Sequence, residues 1–162
     1  MAEQKMQGWW VIAMSFFAAI LLNIAPVPEW MQWARPEWVA LVLIYWVIAL
    51  PQRIGIAIAW IVGLMLDSLE GAVLGQNALS LSIVAYFSII LYQRLRMYAI
   101  WQQAMVVCIL IVVHQLIGQW VQNLTAAGAD TFLFLLPALA SALFWPWVML
   151  LLRHFRRRYR VN

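Results

Sequence analysis

Apolar residues fall into six stretches along this chain, and the short breaks between them carry most of the charge and several of the prolines. The first stretch, 9–25, reaches about 25 Å as a helix, close to a hydrocarbon core of about 30 Å. Pro26, Pro28 and Pro36 then stop any helix, while Trp30, Trp33 and Trp38 supply amphipathic rings suited to the headgroup level. Residues 38–66 are apolar apart from Pro51-Gln52-Arg53. One helix over that range would be about 43 Å long and would bury Arg53 at a cost of roughly 2.5–3.5 kcal/mol. A hairpin of two short helices, 36–50 and 54–68, is therefore predicted, with tilt or local thinning absorbing the mismatch. Three more stretches follow at 77–91, 99–120 and 131–152, the last expected to be kinked by Pro137 and Pro146. Residues 153–162 form a basic tail.

Composition agrees with a membrane-embedded chain: 67% of residues are hydrophobic and 10% charged, at a length that suits one domain, residues 1–162. The net charge of +4 does not point to nucleic acid, because no polar face exists on which bases could be spread. The basic residues instead punctuate the apolar runs. With six spans and both termini inside, Lys5, Arg53, Arg94, Arg96 and the tail residues Arg153, Arg156, Arg157, Arg158 and Arg160 are cytoplasmic, and only Arg35 is outside. That is a strong positive-inside bias. Glu29, Glu37, Asp67, Glu70 and Asp130 then fall outside. A five-span rival scores nearly as well on charge, so the buried Arg53 and the overlong helix decide for six. Tyr92 and Tyr98, with Arg94 and Arg96, are expected to anchor the inner face.

The most informative stretch is 63–75, GLMLDSLEGAVLG. Steps of four from Gly55 give Ala59, Gly63, Asp67 and Gly71, a ridge with little side-chain volume that a neighbouring helix can approach closely. A carboxylate in a last turn faces the negative end of the helix dipole, so Asp67 is expected to act as a cap. Asp67-Ser68-Leu69-Glu70 has capping-box spacing and would start a short helical turn outside the span. Gly71 and Gly75 suit positive φ where the chain reverses. An ordinary capped loop is the plainer alternative.

Little chemistry is indicated elsewhere. His114 and His154 are too few and too dispersed for a metal site, no nucleotide-cradle motif occurs, and no cofactor is expected. Cys108 reads as packing. Ser15, Ser80, Ser82, Ser88 and Ser141 have no base nearby in sequence, which leaves no catalytic set. His114, Gln115, Gln119 and Gln122 form a polar stripe that should turn away from lipid, toward a cavity, a partner or, more plainly, helix-to-helix hydrogen bonds. Asn23 supports that plainer reading. The arginine tail suits anionic lipid and, more sharply, a cytoplasmic partner.

The chain resembles the MreD family of bacterial cell-elongation membrane subunits. The resemblance rests on Arg35-Pro36, Leu50-Pro51-Gln52-Arg53, the Gly63, Asp67, Gly71, Leu74 and Gly75 pattern, Trp101-Gln102-Gln103-Ala104 and Trp145-Pro146-Trp147 before the basic tail. It implies an all-α, six-helix transmembrane bundle similar to the substrate-binding S components of energy-coupling-factor transporters. It also implies a non-enzymatic inner-membrane scaffold, with both termini cytoplasmic, that associates with MreC and indirectly with MreB, RodA and a penicillin-binding transpeptidase. By the same resemblance Asp67 and its glycines form a structural or partner-contacting element. A small-molecule-binding or transporter subunit with a cavity near His114 and Gln115 is the competing reading.

Overall fold

A computed structural model describes residues 8–125 and 132–161; Lys5, Asp130 and Thr131, assigned above to a cytoplasmic segment, an outer loop and the start of the last stretch, lie outside the described residues. Among the described residues all regular structure is helical. The helices are α1 (Trp9–Ile24), α2 (Trp38–Ala49), α3 (Ile56–Glu70), α4 (Gln76–Met97), α5 (Ile100–Leu124) and α6 (Leu136–Arg158), with 3-10 turns at Glu29–Ala34 and Phe132–Leu135. Helices α4, α5 and α6 are each long and apolar enough to cross a membrane, and α1 is a shorter apolar helix.

Helix α2 is the axis of the bundle. It is apolar on every side, and Leu41, Leu43, Ile44, Trp46 and Val47 are fully buried. A helix with no polar face must be covered all round, and one of about 18 Å is better enclosed by protein than by lipid. Helices α1, α4 and α6 supply that cover. The chain leaves α2 through a tight turn in which the Arg53 and Ile54 N–H groups both donate to the Leu50 carbonyl at 3.0 Å. Residues 38–66 therefore fold as two helices.

The α3–α4 pair is the most extensive helix contact in the molecule. Its cause is Gly63: a Cβ there would overlap Ala78 Cα and come within 2.7 Å of the Asn77 carbonyl carbon. Ala59 and Asp67 on the same ridge are also buried, so the middle of the ridge is taken up inside the fold. At its N-terminal end Gly55 faces open space.

Pro137 does not interrupt the last helix. It occupies the first turn of α6, where a missing N–H costs nothing, and α6 then runs through Pro146 to Arg158.

The six helices alternate in direction. One end of the bundle brings together the last residues of α2 and α4, the start of α5 and the end of α6. There Arg96 of α4 donates from Nε and Nη2 to the Ile48 and Ala49 carbonyls at 2.9 Å, capping α2 while its guanidinium lies 5.2 Å from the Tyr92 ring centre. Gln103 donates to the Leu95 carbonyl at 2.7 Å and accepts from Trp145 Nε1 at 3.3 Å. Val161 packs against Gly8, and the Trp10 and Tyr159 rings meet edge to face at 4.7 Å, so both ends of the described chain lie at this end. The opposite end holds the α3–α4 turn and the polar groups described next.

Candidate functional site

Two polar constructions share that opposite end. The first is a clamp made by Asp67. Its Oδ2 accepts from the Gly75 N–H at 2.9 Å, its Oδ1 from the Asn77 N–H at 2.9 Å, and Oδ2 has a longer contact with the Ala78 N–H at 3.4 Å. These are among the N–H groups at the start of α4 that have no partner within that helix, and Gly75 at the N-cap has no side chain to satisfy them. A carboxylate from α3 therefore caps α4 and meets the positive end of its dipole.

This corrects the capping-box expectation. Residues 67–70 continue α3, Ser68 Oγ donates back to the Leu64 carbonyl at 2.9 Å, and the carboxylate of Glu70 accepts from Asn77 Nδ2 at 3.3 Å. The unfavourable place of Asp67 in its own helix is offset by the helix it serves. The turn between them has Gly71 at φ 66° and Gly75 at φ 98°, the left-handed region where a side chain is strained.

The second construction is a polar cavity of about 590 Å³ beside the clamp. Five of the six helices and the residue before α2 contribute to its wall: Asn23 from the end of α1, Glu37 before α2, Glu70 from α3, Asn77 from α4, His114 and Gln115 from α5, and Pro137 from α6. Gln119 and Gln122 line it too, so the stripe on α5 faces this space. Glu37 is the hub. Its N–H donates to Ser141 Oγ at 2.9 Å, its Oε1 accepts from Gln115 Nε2 at 2.5 Å, and its Oε2 lies 3.7 Å from His114 Nε2. Arg35 closes one side, its guanidinium donating to the Leu22 carbonyl at 2.8 Å at the end of α1. Asn23 Oδ1 and His114 Nδ1 are buried without a hydrogen-bond partner among the described residues.

The sequence pattern placed His114, Gln115 and Gln119 on one face but missed Glu37, which joins the first two. The available signal was an acid directly after Pro36 at the start of a wholly apolar helix. Among the described residues no group of three or more His, Cys, Asp or Glu side chains is arranged to hold a metal. All six serines spend their hydroxyl hydrogens on backbone carbonyls three or four residues earlier: Ser15 on Ile12, Ser68 on Leu64, Ser80 on Asn77, Ser82 on Ala78, Ser88 on Val84 and Ser141 on Pro137. Ser15 also accepts from Trp46 Nε1.

At the other end Arg153, Arg156, Arg157 and Arg160 surround an open basic cavity, with Arg158 exposed beside them. Arg156 Nε donates to the Val161 carbonyl at 3.3 Å. Among the described residues the one ion-pair contact is that of Glu37 with His114, so none of these arginines is paired with a described carboxylate.

The family model for the rod shape-determining protein MreD matches residues 4–155. The chain belongs to the MreD family. A curated relative, the rod shape-determining protein MreD of Haemophilus influenzae, is 34% identical over 154 residues, covering 95% of each chain. No solved structure matches. MreD membership ties the chain to rod-shape determination, and the long apolar helices make it a membrane protein.

Proposed function

We propose that this MreD-family chain is a non-enzymatic scaffold of the rod complex in the bacterial inner membrane. It holds MreC and, through the assembly, works with MreB, RodA and a penicillin-binding transpeptidase to organise lateral-wall peptidoglycan synthesis. Six crossings in an S-component-like bundle place both termini and the arginine end in the cytoplasm. Support for an even number of crossings comes from Gly8 packing on Val161 and from the gathering of Arg53, Arg94, Arg96 and the tail arginines toward one end. A reporter fused at the N-terminus is expected to read cytoplasmic; a periplasmic reading contradicts this orientation.

The observation that carries the scaffold reading is an apolar groove of about 370 Å³ between α1, α2 and α6, lined by Trp10, Met14, Ala18, Trp38, Leu151 and Phe155. The small-residue ridge of α3 is filled by α4, so this groove is where a partner helix of MreC fits, its apolar face laid between two helices. Replacing Ala18 with Trp should fill the groove and reduce co-purified MreC at least tenfold while insertion is unchanged. Undiminished capture contradicts the groove as the docking face. The basic tail adds attraction to anionic lipid of about 1 kcal/mol per residue near the surface. If it also docks a cytoplasmic partner, replacing Arg156, Arg157 and Arg158 together with Gln weakens that partner's recruitment without affecting insertion; unchanged recruitment leaves the lipid role alone.

A further inference from the structure

We propose that the polar cavity around Glu37 is a binding site for a protonated primary amine that carries a neighbouring anionic group, the chemistry of a phosphoethanolamine. This inference is independent of the scaffold reading and concerns a different face of the molecule.

Two carboxylates, Glu37 before α2 and Glu70 of α3, line the space and are matched by a single guanidinium, Arg35, which is already engaged with the Leu22 carbonyl. Each carboxylate is positioned by a side-chain amide, Glu37 by Gln115 and Glu70 by Asn77; Glu37 also lies 3.7 Å from His114 Nε2, and among the described residues neither acid is ion-paired with Arg35. Such clusters are often purely structural. Here a second observation separates the cavity from a structural cluster: Asn23 and His114 are 7% and 6% exposed, both line the cavity, and Asn23 Oδ1 and His114 Nδ1 find no partner among the described residues. A buried polar atom without a partner is destabilising, a loss the neighbouring Asp67 clamp shows this fold can avoid.

The missing complement is a cation rich in donors. A metal ion is disfavoured, since no arrangement of three or more ligating side chains exists among the described residues. A primary ammonium fits, with three N–H donors on one charge. Arg35 on the same wall suits an anionic group beside the amine, bound through charge-assisted hydrogen bonds. The volume of about 590 Å³ is in the range of small-molecule sites. Two sources supply this chemistry: a free phosphoethanolamine, or the headgroup of a phosphatidylethanolamine lipid.

The test uses the full chain in mild detergent. Phosphoethanolamine and phosphocholine are titrated calorimetrically, and short-chain phosphatidylethanolamine and phosphatidylcholine are compared by native mass spectrometry. Methylation removes the three donors and keeps the charge, so the ethanolamine forms should bind at least tenfold more tightly. A preference in both arms means that the headgroup alone suffices; a preference only in the lipid arm identifies the occupant as lipid. In Glu37→Gln and Glu70→Gln the preference should fall to within about threefold, the expected loss of roughly one charge-assisted contact. Monodisperse elution and helical circular dichroism are required of each variant, and Glu70→Gln, at the exposed end of α3, serves if Glu37→Gln fails them. No preference in either arm, or a preference that survives in both variants, overturns the proposal.

Discussion

Asp67 and Glu37 stand at the same end of the bundle, and they solve the problem of an acid in an apolar setting differently. Asp67 is 1% exposed and its oxygens are taken up by backbone N–H groups of one helix terminus. Nothing is left over. Glu37 is held by a side-chain amide and an imidazole within a cavity whose wall includes unpartnered polar atoms. A satisfied buried carboxylate builds a fold, whereas an acid beside unfinished polar groups is where a fold leaves room for something else.

The comparison breaks most completely at Gly63. Replacing it with Leu drives side-chain atoms into the Ala78 backbone, which cannot give way without moving α4. Loss of monodisperse protein in detergent is expected, well beyond the 1–3 kcal/mol typical of overpacking. Removing the Asp67 charge comes next. Asp67→Asn turns one acceptor into a donor facing the N–H groups of α4, and a loss of about 3 kcal/mol is expected, or roughly 6–12 °C in melting temperature for a chain of this size. A smaller change follows at Gly71, where φ of 66° makes alanine cost on the order of 1–2 kcal/mol. Gly55→Ala closes the series. Its Cβ meets nothing within 4 Å and its φ of −129° suits any residue, so thermal melting should detect almost no change. Equal effects at Gly55 and Gly63 would remove the packing explanation for the ridge.

These contrasts also show how far residue order alone could reach. The apolar runs and the prolines between them marked the helices, because burial periodicity and backbone breakers act over a few residues. The glycines of the 71–75 turn were visible for the same reason. The target of Asp67 was not, since capping spacing is local and its partners begin eight residues on, in the next helix. Glu37 was further out of reach. Its bond to Gln115 spans 78 residues and depends on α5 crossing the start of α2. The second task of Arg96, expected only as an interfacial anchor, was equally out of reach, because α4 has to bring it to the open carbonyls of α2. The small-residue ridge was legible as a place of close approach, but a stripe of small residues promises a close neighbour without saying whether it belongs to the same chain; at Gly63 that neighbour is α4.

The most direct test of the division between a closed clamp and an open site is a paired melt of Asp67→Asn and Glu37→Gln in the same detergent. The expected result is a large drop for Asp67→Asn and a shift under about 3 °C for Glu37→Gln, corresponding to about 1 kcal/mol. A Glu37→Gln protein that melts as early as Asp67→Asn, or an Asp67→Asn protein that melts like the parent, would contradict it.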